Sequence, residues 1–223
     1  MTAVLVLVTF AVFLTIDYFR SRKPAGQSVV SPEPKPLPAP GLGPALVGGF
    51  EVRNNLRYHP GHAWALGESP NLVRVGLDDF ATRLIGKVSA ISLPRRGQWI
   101  RQGQQLVTVA KDGGKAALVS PIEGEVREVK EALLADPALL GRDPYGEGWL
   151  ITVHAPDAKT NFRNLLRGTL ACKWMEVDAG RLRRHMSMAA PTVAQDGGVA
   201  IGNIGDEFSA REWEKLTREF FLA

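Results

Sequence analysis

Runs, gaps and alternations of apolar residues divide this chain into four zones. Met1–Phe19 is almost unbroken: between Ala3 and Ile16 only Thr9 and Thr15 interrupt the hydrophobes. About 20 apolar residues cross a bilayer as a helix, so the pattern predicts a transmembrane anchor over residues 1–20. Arg20, Arg22 and Lys23 follow the run and no basic side chain precedes it. A cleaved signal peptide has the reverse order. The basic flank places the rest on the cytoplasmic side of the inner (cytoplasmic) membrane; the opposite orientation would make it a periplasmic adaptor. Residues 21–48 carry prolines at 24, 32, 34, 36, 38, 40 and 44. Such spacing removes backbone donors and favours an extended linker.

Over residues 49–160 the pattern becomes short alternations. NLVRVGL (71–77) and KVSAISLP (87–94) read as strands, and DDFATRLIG (78–86) between them as a short helix capped by Asp78 or Asp79. RRGQWIRQGQQLVTVA passes through two glycine turns into a strand, ALVSPIEGEVREV gives two more, and EALLADPALL is a helix broken at Pro137. Closely spaced short strands predict a mainly β (α+β) domain, a compact barrel or sandwich. In TVAKDGGKAALVSP (108–121), Asp112-Gly113 predicts a two-residue hairpin turn flanked by Lys111 and Lys115.

Residues 161–223 read as a C-terminal extension. Phe162, Leu165, Leu166 and Leu170 recur at close to helical spacing, and Arg181, Arg183, Arg184 and His185 make a basic end. A stretch rich in glycine and small residues follows. SAREWEKLTREFFLA then predicts a terminal amphipathic helix over 209–222, with Ser209 and Glu212 as a capping box. Its stripe of Trp213, Leu216 and Phe220, continued by Phe221, packs on its own domain or docks into a partner's groove, which makes these residues interaction candidates.

Composition narrows the chemistry. The 223 residues carry a net charge of +4 with no interleaved basic and aromatic track, which argues against a nucleic-acid surface. Cys172, the one cysteine, makes no internal disulfide and holds no metal alone. His59 and His62 form an H-x-x-H pair interrupted by Pro60 and Gly61, a poor metal site, so no metal is expected. Asp143 and Glu147 in DPYGEGW fit turn geometry better than paired catalysis. No phosphate loop or nucleophile motif is present. The sequence predicts a protein that is not an enzyme.

HAWAL (62–66), VGLDDFATRLIG (75–86), ISLPRRGQWIRQGQQLVTV (91–109), SPIEGEVREV (120–129) and DPYGEGWL (143–150) together resemble the H-protein of the glycine cleavage system, in the biotinyl/lipoyl-domain class. That resemblance implies a barrel-sandwich hybrid of two small sheets, with a lipoyl lysine on a hairpin turn carrying an aminomethyl group between enzymes. In the family the modified lysine stands eight residues before the proline of the next turn. Counting back from Pro121 reaches Gly113, with Lys111 and Lys115 two positions away on either side. The expectation is therefore a membrane-tethered, non-catalytic scaffold serving other protein subunits of a membrane complex, with no lipoate. The alternative is a lipoyl carrier using Lys115 or Lys111, cofactor included.

Overall fold

The computed structural model describes residues 43–189 and 203–223. The predicted anchor over 1–20 and most of the linker over 21–48 lie outside the described residues. No helix among the described residues is long and apolar enough to cross a membrane.

In chain order the β elements are β1 (Ala45–Val47), β2 (Phe50–Val52), β3 (Arg57–Tyr58), β4 (Ala63–Ser69), β5 (Leu72–Leu77), β6 (Ala90–Ser92), β7 (Trp99–Ile100), β8 (Gln105–Lys111), β9 (Gly114–Val119), β10 (Gly124–Val129) and β11 (Ile151–His154). They form a six-stranded sheet ordered β3-β4-β5-β11-β10-β7, a three-stranded sheet ordered β6-β8-β9, and the small β1-β2 pair. Every pairing is antiparallel. β1 begins inside the segment read as linker.

Alternation sets the core. Val73, Val75 and Leu77 of β5, Val107 and Val109 of β8, and Ile151 and Val153 of β11 all point inward and are buried. A period of two places alternate residues on one face of a sheet. The predicted strand over 87–94 shortens to β6, whose residues Ala90 to Ser92 are in register with Ala110 to Thr108 of β8.

The helices are α1 (Asp79–Ile85), α2 (Ala132–Ala135), α3 (Leu139–Arg142), α4 (Ala158–Arg163), α5 (Gly168–Ala189) and α6 (Ala210–Phe221), with a 3₁₀ turn at Ile204–Glu207. Asp78 caps α1, its carboxylate accepting from the Ala81 N–H at 2.8 Å. Pro137 separates α2 from α3, as its missing N–H requires.

The apolar spacing of Phe162, Leu165, Leu166 and Leu170 does not belong to one helix. α4 ends at Arg163, Leu166 pairs with Tyr58 in a β-bridge, and Gly168 turns the chain at a φ of 53°. Leu170 then lies on the outer face of α5, 64% exposed, while Ala171, Met175, Ala179 and Leu182 face the core.

Candidate functional site

The β8–β9 hairpin is the part of the fold on which a carrier function would depend. Asp112 and Gly113 take φ of 46° and 84°, and Lys111 pairs with Gly114 across the turn. Two consecutive positive φ values define the tight turn that matches strand twist. A Cβ built on Gly113 would meet no atom within 4 Å, so the apex stands clear.

The two lysines have different surroundings. Lys111, only 6% exposed, turns into the protein and forms an ion pair with Asp206 of the 3₁₀ turn. Gly86, at the end of α1, makes room for this pair: a Cβ there would lie 2.6 Å from Asp206 Oδ1. Burial pushes the Asp206 carboxyl up, but hydrogen bonds from Lys111 and the Lys87 N–H, with the charges of both lysines, bring it below its ordinary value. Lys115 points outward and is exposed, while its N–H donates to Glu214 Oε1 at 3.4 Å.

The face of the hairpin is covered by α6. Trp213 lies against β9: a Cβ on Gly114 would stand 3.2 Å from Cε3 and Cζ3 of that ring. Its indole N–H donates to the Leu84 carbonyl of α1 at 2.9 Å. The capping box predicted for this helix is present, with Ser209 Oγ accepting from the Glu212 N–H at 3.5 Å and Glu212 Oε2 accepting from the Ser209 N–H at 3.1 Å.

Trp213, Leu216 and Phe220 had two possible places, against their own domain or in a partner's groove, and the structure puts them in the first. All three are buried within their own domain, together with Phe221. Each such side chain gains roughly 1.5–3 kcal/mol by leaving water, which an exposed stripe would forgo.

A second cluster fastens α5 and α6 to the β domain. His62, at a φ of 64°, is fully buried and stacks on Phe80 at 4.1 Å between ring centroids. Its Nδ1 lies 2.9 Å from Asp78 Oδ2, and its Nε2 lies 3.6 Å from Asp178 Oδ2 on α5, an ion-pair distance longer than a hydrogen bond. Arg181 bridges Asp178 at 3.0 Å and Glu219 of α6 at 2.7 Å, and His185 reaches Glu219 at 3.3 Å.

Burial pushes His62 down, but the Asp78 and Asp178 carboxylates more than reverse this and hold it above its ordinary value. Burial holds Asp78 up even beside His62. The two groups face each other inside the fold, so their titration belongs to the pair.

Sequence spacing did not reveal this cluster. Asp178 is distant in the chain, and Arg181 to His185 read only as a basic end. The H-x-x-H pair is divided: His59 Nδ1 accepts from the Gly61 N–H at 3.0 Å, while both nitrogens of His62 face carboxylates on opposite sides. Asp143 organises its own turn, accepting from the Gly146 and Glu147 N–H groups at 2.9 and 2.8 Å, and Glu147 pairs with Lys130 at 2.6 Å.

This architecture can be set beside known proteins. Residues 56–177 match the family model for the glycine cleavage H-protein. The chain belongs to that family. It is 34% identical over 108 residues to a protein of Aeropyrum pernix described as a probable glycine cleavage system H protein, covering 48% of this chain and 75% of that one. The glycine cleavage system H protein of Coprothermobacter proteolyticus is 35% identical over 108 residues, covering 48% and 85% respectively. A crystal structure of the H protein from Mycobacterium marinum is 28% identical, covers 47% of this chain and 86% of that one, and superposes with a TM-score of 0.44. Asp206, Trp213 and Glu214, which cover the hairpin, lie beyond the residues of the family match.

Proposed function

We propose that this chain uses the H-protein scaffold without a lipoyl arm, as a membrane-tethered, non-catalytic docking subunit of a membrane-associated complex. The observation that carries the reading is the apex of the β8–β9 hairpin. Asp112 and Gly113 occupy it, and Lys111 beside it is buried against Asp206. A swinging arm needs an amine at the rigid tip from which it can reach several active sites. The tether rests on the Met1–Phe19 run and the proline-rich segment after it. Intact-mass measurement on protein from its native host tests the proposal: the unmodified mass is expected, and a lipoyl adduct on either lysine overturns it.

A second reading has one specific observation in its favour. Lys115 is exposed and is followed by Ala116-Ala117, as carrier lysines in this family often are. On that reading the chain carries lipoate on Lys115 and transfers aminomethyl or acyl groups beside the membrane. Incubation with a lipoate ligase and lipoate separates the two. The docking reading expects no incorporation, whereas the carrier reading expects incorporation that Lys115→Arg abolishes.

A further inference from the structure

One edge of the six-stranded sheet presents an exposed tryptophan. Trp64, Trp149 and Trp213 are buried, but Trp99 on the edge strand β7 is 51% exposed. It is held in place by two matching turns, Arg95-Arg96-Gly97-Gln98 before it and Arg101-Gln102-Gly103-Gln104 after it. In the first, Gln98 Oε1 accepts from the Arg95 N–H at 3.1 Å and the Gln98 N–H donates to the Arg95 carbonyl at 3.1 Å. In the second, Gln104 makes the same two bonds to Arg101, each at 3.0 Å. Gly97 and Gly103 donate to the Val126 and Ser120 carbonyls, both at 2.8 Å, which ties each turn to a neighbouring segment.

The two turns that flank this tryptophan carry arginine as their only charged residues. Arg95, Arg96 and Arg101 are exposed and make no ion pair among the described residues. Ile100 is buried between Trp99 and Arg101, so strand alternation sends both of those side chains outward together. Two carboxylates lie across from them: Glu125, directly opposite Trp99 on β10, pairs with Arg127 at 3.3 Å, and Glu123 immediately before β10 is partly buried.

We infer that this β7 edge docks on an anionic phospholipid surface, with Trp99 at the headgroup level and Arg95, Arg96 and Arg101 on lipid phosphates. The chemistry is complementary on both counts. Tryptophan favours the boundary between water and acyl chains, and guanidinium groups pair with phosphate through two parallel hydrogen bonds. Each arginine near an anionic bilayer adds roughly fivefold to surface partitioning, and three add about a hundredfold. The inference rests on the proposed membrane tether only for bringing the bilayer within reach.

The test reconstitutes the full chain in phosphatidylcholine vesicles with and without phosphatidylglycerol, using brominated acyl chains as a quencher of tryptophan fluorescence. The quenching specific to Trp99 is the difference between the native chain and Trp99→Phe. It is expected on vesicles containing phosphatidylglycerol, absent on phosphatidylcholine alone, and lost in the triple variant Arg95→Gln, Arg96→Gln, Arg101→Gln. Equal quenching on both lipids, or none above the Trp99→Phe level, overturns the inference. So does a Trp99 response to polyglutamate without one to anionic vesicles, which would assign an acidic protein partner instead. Flotation with pure phosphatidylcholine vesicles reads the tether separately: a chain that floats there without Trp99 quenching on anionic lipid keeps its anchor and loses this surface. A chain that floats only with anionic vesicles, with Trp99 quenched, keeps the surface and loses the anchor.

Discussion

The C-terminal segment is fastened to the β domain at two places, and the two fastenings differ in kind. At the first, His62 and Asp78 are wholly out of water and Asp178 nearly so, with His62 set between the two carboxylates. At the second, Lys111 is buried, but Asp206 keeps 32% of its side chain exposed and can recover hydration if the pair separates. Buried charges are stable only together, because the loss of one leaves the rest uncompensated. A rim pair weakens by degrees. The family scaffold thus holds α5 by a buried cluster, while the tail over the β8–β9 hairpin is held by apolar packing with an adjustable ion pair at its edge.

The sharpest way to break this contrast is His62→Ala. It leaves Asp78 buried without its cation, while Asp178 keeps Arg181, and should destabilise the fold by about 3–5 kcal/mol. Urea unfolding reads this as a lower midpoint, and an unchanged midpoint would remove the cluster from the account. The same pair predicts a pH limb. His62 is held above its ordinary value of about 6.5. Its contribution is therefore complete below that pH and is lost as pH rises through the raised folded-state value. Thermal melts of the native protein should fall across that window, and those of His62→Ala should not.

Adjacent glycines sharpen the comparison at the hairpin. Gly114→Ala brings a methyl to 3.2 Å from the Trp213 ring, so α6 must shift. Overpacking of this kind costs about 1–3 kcal/mol. Gly113→Ala meets no neighbour, and its effect is backbone strain at positive φ, about 1 kcal/mol. Tryptophan near-ultraviolet circular dichroism should change for Gly114→Ala and stay constant for Gly113→Ala. Equal spectra for both would mean that the tail does not rest on the hairpin.

Much of this was legible in the sequence wherever local rules decide. Asp112-Gly113 forms the turn its φ preferences demand, Asp78 caps α1, and Ser209 with Glu212 makes the capping box. Each depends on residues no more than four apart. The misreadings came where distant parts of the chain decide. Phe162 to Leu170 has helical spacing, but Leu166 is recruited by Tyr58 and the helix breaks. Lys111 reads in the sequence as one flank of a hairpin turn, and only Asp206, far along the chain, accounts for its inward turn. His62 looked like half of a histidine pair until Asp178 on α5 came to its other side. Periodicity reports which face of an element is apolar, and not which element will cover it.

The smallest predicted effect tests the adjustable fastening. Asp206→Asn removes the carboxylate partner of Lys111 but keeps the shape of the side chain and an acceptor oxygen. The loss should be about 1 kcal/mol or less, because the partly exposed site is screened by water. Asp206 is held below its ordinary value, so its contribution is present above about pH 4 and is lost as pH falls through the lowered value. The acid limb of the native melt should therefore flatten in Asp206→Asn, while the alkaline limb set by His62 remains. Hydrogen exchange should localise the change, with faster exchange at the Lys87 N–H, which donates to Asp206 at 3.4 Å, and no change at the Asp78 and Ala81 amides beside the buried cluster. Faster exchange at both places would show that the two fastenings act as one, and that the tail is as integral to the fold as the helix before it.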